Sequence, residues 1–511
     1  MAISYRALLA AYLGLAALIV VWNIAAASRI IQSRRAPPIF AGATAFGALL
    51  LVPALLVAVS GASFVYGRAI QPVAWVWPVV TVLFVVQAAF ALARGLVTPV
   101  LGVPVLVYDV IIAVVAIARY MASRGAEPPE FALVVSAAQT SALGVIGGSD
   151  VLSRATWLLI PMFSPALPSR SRLKMALRTL LAAGVTVAAA LVLVELPAAA
   201  EAISSYSRYR SDVLSERPEG DFEFGMKVFP DLRGAPPPIA ISNDLKLVDS
   251  LNVGAISIVV DPEAARGKPL DSLAHVLDNV RDDSTTIIIT LGYPRNARAL
   301  LRRSPEAYMD ERLADVNRLT RALRPNIFLP ALEPYGEGTR ALGTQPPSFW
   351  IHYVTRAAAI AHHVNPNIRI GLATASYGSR DSTLYAWASA RTSPVDVPGF
   401  SLLPGFDGAT SLDTHLRIAQ RWLQMQARPK DHWIYSAGGY PIAHGEESQA
   451  MALHGVLAWA TAQPAIVGIV VTEAGDYDSQ SGLRSPDGRF RRALQEVTRA
   501  MRAEHESATA Q

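Results

Sequence analysis

Runs of roughly twenty apolar residues, parted by short arginine-bearing loops, crowd the first 200 positions of the chain. A hydrocarbon core of about 30 Å requires about 20 apolar residues in a helix, because each residue rises only about 1.5 Å. Spans are therefore expected at 5–27, 40–59, 75–96, 102–121 and 175–196, with a weaker one at 131–148 diluted by Ser136, Gln139, Thr140 and Ser141. The weak segment reads either as a sixth span or as a re-entrant one. The first run has the length of a signal peptide, but its long core and the spans behind it favour an uncleaved anchor.

Charge is divided just as unevenly. Residues 1–200 hold 13 Lys plus Arg and 5 Asp plus Glu, which leaves 32 basic and 35 acidic residues of the total 45 and 40 for the remaining 311 positions. The basic excess sits in loops, where it reports membrane orientation and gives no surface for nucleic acid. Arg29, Arg34 and Arg35 follow the first span, and Arg154, Arg170, Arg172, Lys174 and Arg178 lead into the last. Six spans put both groups on the cytoplasmic side and everything after the last span outside. In a bacterium this is an inner-membrane, multi-pass protein with its second half beyond the cytoplasm. Asp109, alone in an apolar run, reads either as an ion or proton site or as a carboxyl bonded to a neighbouring helix. Cysteine is absent, so disulfides and thiolate metal sites are excluded.

The chain divides into a membrane domain over 1–200, a polar connector over 201–221, a second domain over 222–505 and a disordered tail over 506–511. The second domain alternates short β-branched runs with amphipathic segments. Its strand candidates are "FGMKVF", "AISIVV", "TTIIITL", "NIFLPAL", "IRIGLATA", "PGFSLL", "HWIYSA" and "IVGIVVT". Eight such repeats over about 280 residues predict a parallel (β/α)8 (TIM) barrel, whose strands are buried on both faces. A doubly wound sheet would call for a glycine-rich phosphate loop, which does not occur.

Barrel chemistry sits at the C-terminal ends of the strands. Those ends carry Lys227, Asp261, Tyr293, Glu333, Tyr377, Asp407, Ala437 and Glu473, with Tyr335, Glu337, Tyr440, His444 and Tyr477 nearby. Carboxylates beside aromatic rings suit a sugar, although polar residues also simply cap strands where they meet water. No cofactor or metal is expected: "DYD" at 476–478 with Glu473 lacks a known calcium-loop spacing. His362 and His363 fall at a helix end on the opposite face.

Four local stretches make the second domain resemble the clan A glycoside hydrolases. They are "ALEPYGEG", "PVDVPGFSLLPGFDG", "YSAGGYP" with "HGEESQAMALHGVLAWA", and "VGIVVTEAGDYDSQSGLRSPDGRFRRAL". The resemblance implies a Glu acid/base at Glu333 and carbohydrate as ligand. It also places Ala437 where the family keeps its nucleophilic Glu, and Leu332 where it keeps an Asn. A methyl group cannot form a glycosyl-enzyme, so the retaining route is lost and Glu473 becomes the candidate second carboxylate, with Glu337, Asp407 and Glu446 as further options. Glu446 and Glu447 also fit the first turn of a helix. The expected function is a membrane-anchored glycosidase acting on an extracytoplasmic polysaccharide. The alternatives are a silent glycan-binding barrel serving polysaccharide assembly or export, and a transport or sensor protein. Expected partners are a poly- or oligosaccharide, the lipid bilayer and membrane proteins of glycan synthesis or export.

Overall fold

The computed structural model describes residues 5–32, 37–61, 66–147, 160–163, 172–218, 220–229, 234–282, 284–404, 409–426, 429–477 and 481–509. All six expected segments are helical: α1 (Tyr5–Gln32), α2 (Pro38–Gly61), α3 (Val76–Ala93), α4 (Pro99–Ser123), α5 (Glu130–Gly147) and α6 (Arg172–Tyr206). Among the described residues four segments, not six, are long and apolar enough to cross a membrane: Pro38–Gly61, Val76–Ala93, Pro99–Ser123 and Arg178–Ser211. Helix α1 contributes a shorter apolar stretch, Ala16–Ile31. In α5 the polar side chains Ser136, Gln139 and Thr140 are buried, while Ser141 donates to Glu195 of α6 at 2.8 Å. Thr140 donates back to Ser136 O of its own helix at 2.9 Å, and the backbone of the segment is a regular helix.

The irregular element of the helical half lies elsewhere. Residues Ile160–Phe163 are buried among the helices in non-helical backbone. Peptide groups away from water need partners, and side chains supply them here. Met162 N donates to Asp109 Oδ1 at 2.8 Å and Phe163 N to Asn23 Oδ1 at 2.9 Å. Asn23 Nδ2 donates to Pro161 O at 2.8 Å, and Tyr108 Oη to Ile160 O at 3.1 Å. Phe163 stacks on Phe84 with ring centroids 4.0 Å apart. Asp109 is thus an anchor for buried backbone.

From residue 223 the eight expected strands form one closed parallel barrel in sequence order. They are β1 (Glu223–Lys227), β2 (Ala255–Val260), β3 (Thr286–Leu291), β4 (Ile327–Leu329), β5 (Arg369–Thr374), β6 (Val397–Leu402), β7 (His432–Ala437) and β8 (Ile466–Val471). Strand β8 closes on β1 through Glu223↔Gly468 to Met226↔Val471. Strand β4 is the shortest because Pro330 cannot continue the ladder. The major helices between and after the strands are α7 (Pro238–Leu251), α8 (Lys268–Val280), α9 (Pro305–Leu323), α10 (Pro347–Val364), α11 (Ser379–Ser389), α12 (Ala409–Gln424), α13 (Glu446–Thr461) and α14 (Ala493–Thr509). Helix α14 runs on to Thr509, past the start of the stretch expected as a disordered tail.

Strand β7 fills the barrel interior. Trp433 and Tyr435 form an inner cluster with Ile288, Leu329, Val397 and Val470. Space for the rings comes from glycines on other strands. A Cβ at Gly468 would lie 2.5 Å from the Trp433 ring, and one at Gly371 2.5 Å from Tyr435 Oη. On its outer face His432 is fully buried. Its Nδ1–H donates to Lys430 O at 2.6 Å, leaving Nε2 to accept from Tyr385 Oη at 3.0 Å.

The two halves are joined at several points. After α6 a 3-10 turn sets Tyr209 against Gly455 of α13, with Tyr209 Oη donating to Asp413 at 2.6 Å and Arg210 pairing with Glu447 at 2.6 Å. The segments following β7 and β8 meet the helix ends. Arg489 donates to Ala122 O at 2.9 Å, Gln71 to Asp487 at 3.2 Å, and Arg492 pairs with Glu127 at 2.9 Å.

Two outcomes test these placements. Asp109→Asn keeps an acceptor for Met162 and should change stability by less than about 1 kcal/mol, whereas Asp109→Leu strands that amide and should lose about 1–3 kcal/mol in denaturant titrations. Burial holds the His432 imidazole down at about 4. The unfolded chain then binds more protons between pH 4 and the ordinary histidine value near 6.5. The stabilisation is complete above about 6.5 and is lost as pH falls toward 4, a change of order 3 kcal/mol. Unfolding followed by tryptophan fluorescence should show that slope, flattened in His432→Gln.

Candidate functional site

The C-terminal ends of the strands bring two carboxylates to opposite walls of the barrel, since β4 and β8 are four places apart in the closed order. Glu333 follows β4 and Glu473 follows β8. Lys227, the last residue of β1, donates to Glu473 Oε1 at 3.0 Å. Lys227 is half-buried, and Glu473 is buried to 2% exposure. The lysine expected to meet substrate therefore holds the second carboxylate in place.

Glu333 sits in left-handed backbone at φ 41°. Such a conformation costs energy that the surroundings must offset. The backbone around it is pinned from several sides. Arg312 of α9, buried, donates to Gly292 O at 2.8 Å and Pro330 O at 3.0 Å. Tyr353 adds a bond to Pro330 O at 2.8 Å, and Tyr293 Oη donates to Leu332 O at 2.9 Å. Gly336 N and Gly338 N both donate to Glu333 O at 2.9 Å. A side chain at Gly336 would collide with the Glu333 carboxylate, which lies folded over that glycine.

Strand β7 departs from its neighbours at one residue. Phe400 pairs with Ile434 but Ser401 with Ser436, so Tyr435 is an extra residue against β6. The same slip appears against β8, between Ile434↔Ile469 and Ala437↔Val471. A bulge of one residue reverses the facing of every residue beyond it on the strand. Ser436 then shares the inward face with Ser401 and bonds Thr472 Oγ1 at 2.8 Å, while Ala437 shares the outer face with Leu402 and Val471 in the core between barrel and helices. The methyl group of Ala437 is fully buried there.

The aromatic residues expected as sugar platforms are mostly built into the core. Tyr377, at φ 56°, donates to Ser401 O at 3.0 Å and stacks on His415 with centroids 4.2 Å apart. Burial pushes its phenol well up, and the Asp381 and Glu333 charges add to the effect. Asp381 fixes this turn by accepting from the amides of Ala375, Ser376 and Tyr377 at 3.0, 2.7 and 3.0 Å. Tyr293 lies under Arg312, whose guanidinium carbon is 4.8 Å from the ring centroid. Tyr335 is buried, its phenol pushed up to about 12 by burial and by Asp381. Tyr477 donates to Asp244, which also receives Arg484 at 2.8 Å and the Phe229 amide at 2.8 Å. Tyr440 is half-buried at the turn before Pro441–His444.

Other expected residues part from the mouth. His444 is buried against Tyr206 at the end of α6, with ring centroids 5.5 Å apart. It faces the helical half from the short helix Pro441–His444 that follows β7. Glu337 is the first residue of a short helix and pairs with Arg340. Asp261 is buried with its carboxylate over Gly292. Asp407 lies outside the described residues. Glu446 and Glu447 do occupy the first turn of α13, where Glu446 pairs with Arg489. Asp476, the first acid of the "DYD" stretch, pairs with Arg491.

Arg312, Asp381, Asp244, Ser436 and Thr472 escaped the sequence reading. Arg312 did leave a signal, an arginine at the buried spacing Tyr308, Arg312, Val316, Leu319, Leu323 of an otherwise apolar stripe.

No protein-family model and no curated protein matches the chain. Among solved structures it is similar to an exo-β-1,4-mannosidase from Opitutaceae bacterium strain TAV5, at 15% identity over 58% of this chain and 62% of that one, TM-score 0.43. It is also similar to a β-glucuronidase from Ruminococcus gnavus, at 11% identity over 57% of this chain and 53% of that one, TM-score 0.41. The chain thus spans 62% and 53% of the lengths of these structures. The barrel itself is established by its strand pairing.

Replacing Arg312 by Met removes two charge-assisted bonds and leaves Gly292 O without that donor, while Pro330 O keeps Tyr353. We expect a loss of about 3 kcal/mol in chemical denaturation, against less than about 1 kcal/mol for Arg340→Met at the exposed pair.

Proposed function

We propose that this protein is a membrane-anchored, glycoside hydrolase-like barrel that acts on an extracytoplasmic polysaccharide, with Glu333 as general acid and Glu473 as the second carboxylate. The observation that carries this reading is a pair of glutamates after opposite strands, Glu333 with its backbone bonded by Gly336 and Gly338 and Glu473 with its carboxylate bonded by Lys227. In an inverting glycosidase one carboxylic acid protonates the leaving oxygen while the other carboxylate activates water on the far side of the sugar ring, across about 6.5–9.5 Å. No covalent intermediate is required, so the outward-facing Ala437 is no obstacle to that route. Lys227 orients Glu473 and must share it with the attacking water. The alternating path of the helices supports the proposed topology. The α2–α3 and α4–α5 connections, which six crossings put on the barrel's side, are the ones that bond to the barrel through Gln71 and Glu127.

A second reading, a barrel that binds glycan without cleaving it in polysaccharide assembly or export alongside other membrane proteins, is favoured by one observation. The bulge presents Ser436, not a carboxylate, at the inner face of β7. The test is hydrolysis by the full chain in detergent against a panel of bacterial and plant polysaccharides, with the product anomer read by NMR. Hydrolysis with inversion that falls about 10²–10⁴-fold in Glu333→Gln bears out the first reading. Glycan binding without any turnover in the unaltered protein replaces it by the second.

A further inference from the structure

The C-terminal rim of the barrel is turned toward the helical half on its β7 and β8 side. Gly445 lies against Leu133 of α5, and Gly67 against Pro486. Together with the bonds from Arg489, Asp487 and Arg492, these contacts rest the segments after β7 and β8 on the ends of α2, α4 and α5.

Between these surfaces lies a cavity of about 290 Å³, close to the lower limit of about 300 Å³ for small-molecule sites. Its two walls differ in chemistry. The helical wall is mostly apolar, with Val57, Ala58, Trp77, Ala116, Ala118 and Leu133, and is interrupted by Ser136. The barrel wall is a set of ion pairs, Glu446 with Arg489, Asp476 with Arg491 and Glu447 with Arg492. The change falls where α4 stops being apolar. Ala116 and Ala118 give way within one turn to Arg119, Tyr120 and Ser123, the kind of residues that mark a membrane–water boundary. A cavity with an apolar wall at the membrane end and a charged wall at the water end fits an amphiphile, its chain on one wall and its polar head on the other. It is too small for a polysaccharide.

We propose that this cavity seats the lipid end of a lipid-linked glycan, so that the barrel receives its saccharide while the saccharide is still attached to the membrane. The inference rests on the carbohydrate-directed reading of the barrel and names the form of its substrate. The loops concerned carry both tasks. The turn after β7 holds Tyr440 and Pro441, the latter in the cavity wall, and the loop from Glu473 reaches the wall at Asp476.

The experiment uses the full chain in nanodiscs with dodecyl glucoside, mannoside and glucuronide, each carrying a chain-end diazirine, and adducts mapped by mass spectrometry. Phosphatidylglycerol with a diazirine acyl chain is the comparison. Adducts on Val57, Ala58, Ala116 and Ala118 at least tenfold stronger with one glycoside than with the phospholipid are expected. They should be lost in Ala58→Trp and in Gly61→Leu, where an added Cβ meets only Ile70 at 3.7 Å. Equal labelling by the phospholipid, no labelling by any glycoside, or labelling unchanged in a folded Gly61→Leu protein overturns the proposal. Binding of free oligosaccharides by the same protein is measured separately. If it persists while the lipid probes fail, only this inference falls; if it is absent too, the carbohydrate reading falls with it.

Discussion

A closed eight-stranded barrel has a fixed interior volume that side chains must fill, and here two large rings on one strand supply much of it. Trp433 and Tyr435 enter from β7, and Gly371 and Gly468 on other strands yield the space. Strand β7 takes an extra residue at Tyr435 relative to β6. Everything at the end of that strand inherits the resulting phase. Ser436 turns inward and Ala437 outward, so the packing of the barrel floor decides which side chain faces the mouth two residues later.

Irregular backbone recurs in both halves and is stabilised by the same means. In the helical half Asn23, Tyr108 and Asp109 bond to Ile160–Phe163. In the barrel Arg312 and Tyr353 both bond to the Pro330 carbonyl before Glu333, and Asp381 collects the amides that follow β5. Each set exchanges water for a side chain where water has been excluded, which is the general requirement on buried peptide groups. The buried charged or polar residues that look anomalous by composition are thus mostly backbone partners.

That distinction explains how far the sequence could be followed. The order and type of all eight strands were legible because buried parallel strands are nearly continuous β-branched runs, and the helices because their apolar lengths are so marked. Whether each helix crosses a membrane was less legible, since Ser136, Gln139 and Thr140 in α5 look like dilution in sequence but are interior in space. The roles of individual rim residues were least so. Alternation along "HWIYSA" puts Ala437 on the same face as Trp433 and Tyr435, and nothing local announces the bulge that reverses it. Likewise Tyr293 and Tyr377 sit at strand ends, as expected, yet their hydroxyls bond to backbone across the rim.

The loop after β8 links the mouth to the helical half through consecutive bonds. Leu483 N donates to Glu473 O at 2.7 Å, and Gly482 N to Asp476 Oδ1 at 2.9 Å. Arg491 bridges Asp476 and Gly482 O, the latter at 2.7 Å. Arg489 then ties Glu446 of α13 to Ala122 O at the end of α4, the carbonyl at 2.9 Å. Among the described residues of this loop, these bonds, with Arg491 N to Leu483 O at 2.8 Å, link the end of α4 to the backbone of Glu473. The backbone of Glu473 after β8 and the end of α4 are therefore held by one and the same segment, so the seating of the barrel on the helices bears on where that carboxylate stands.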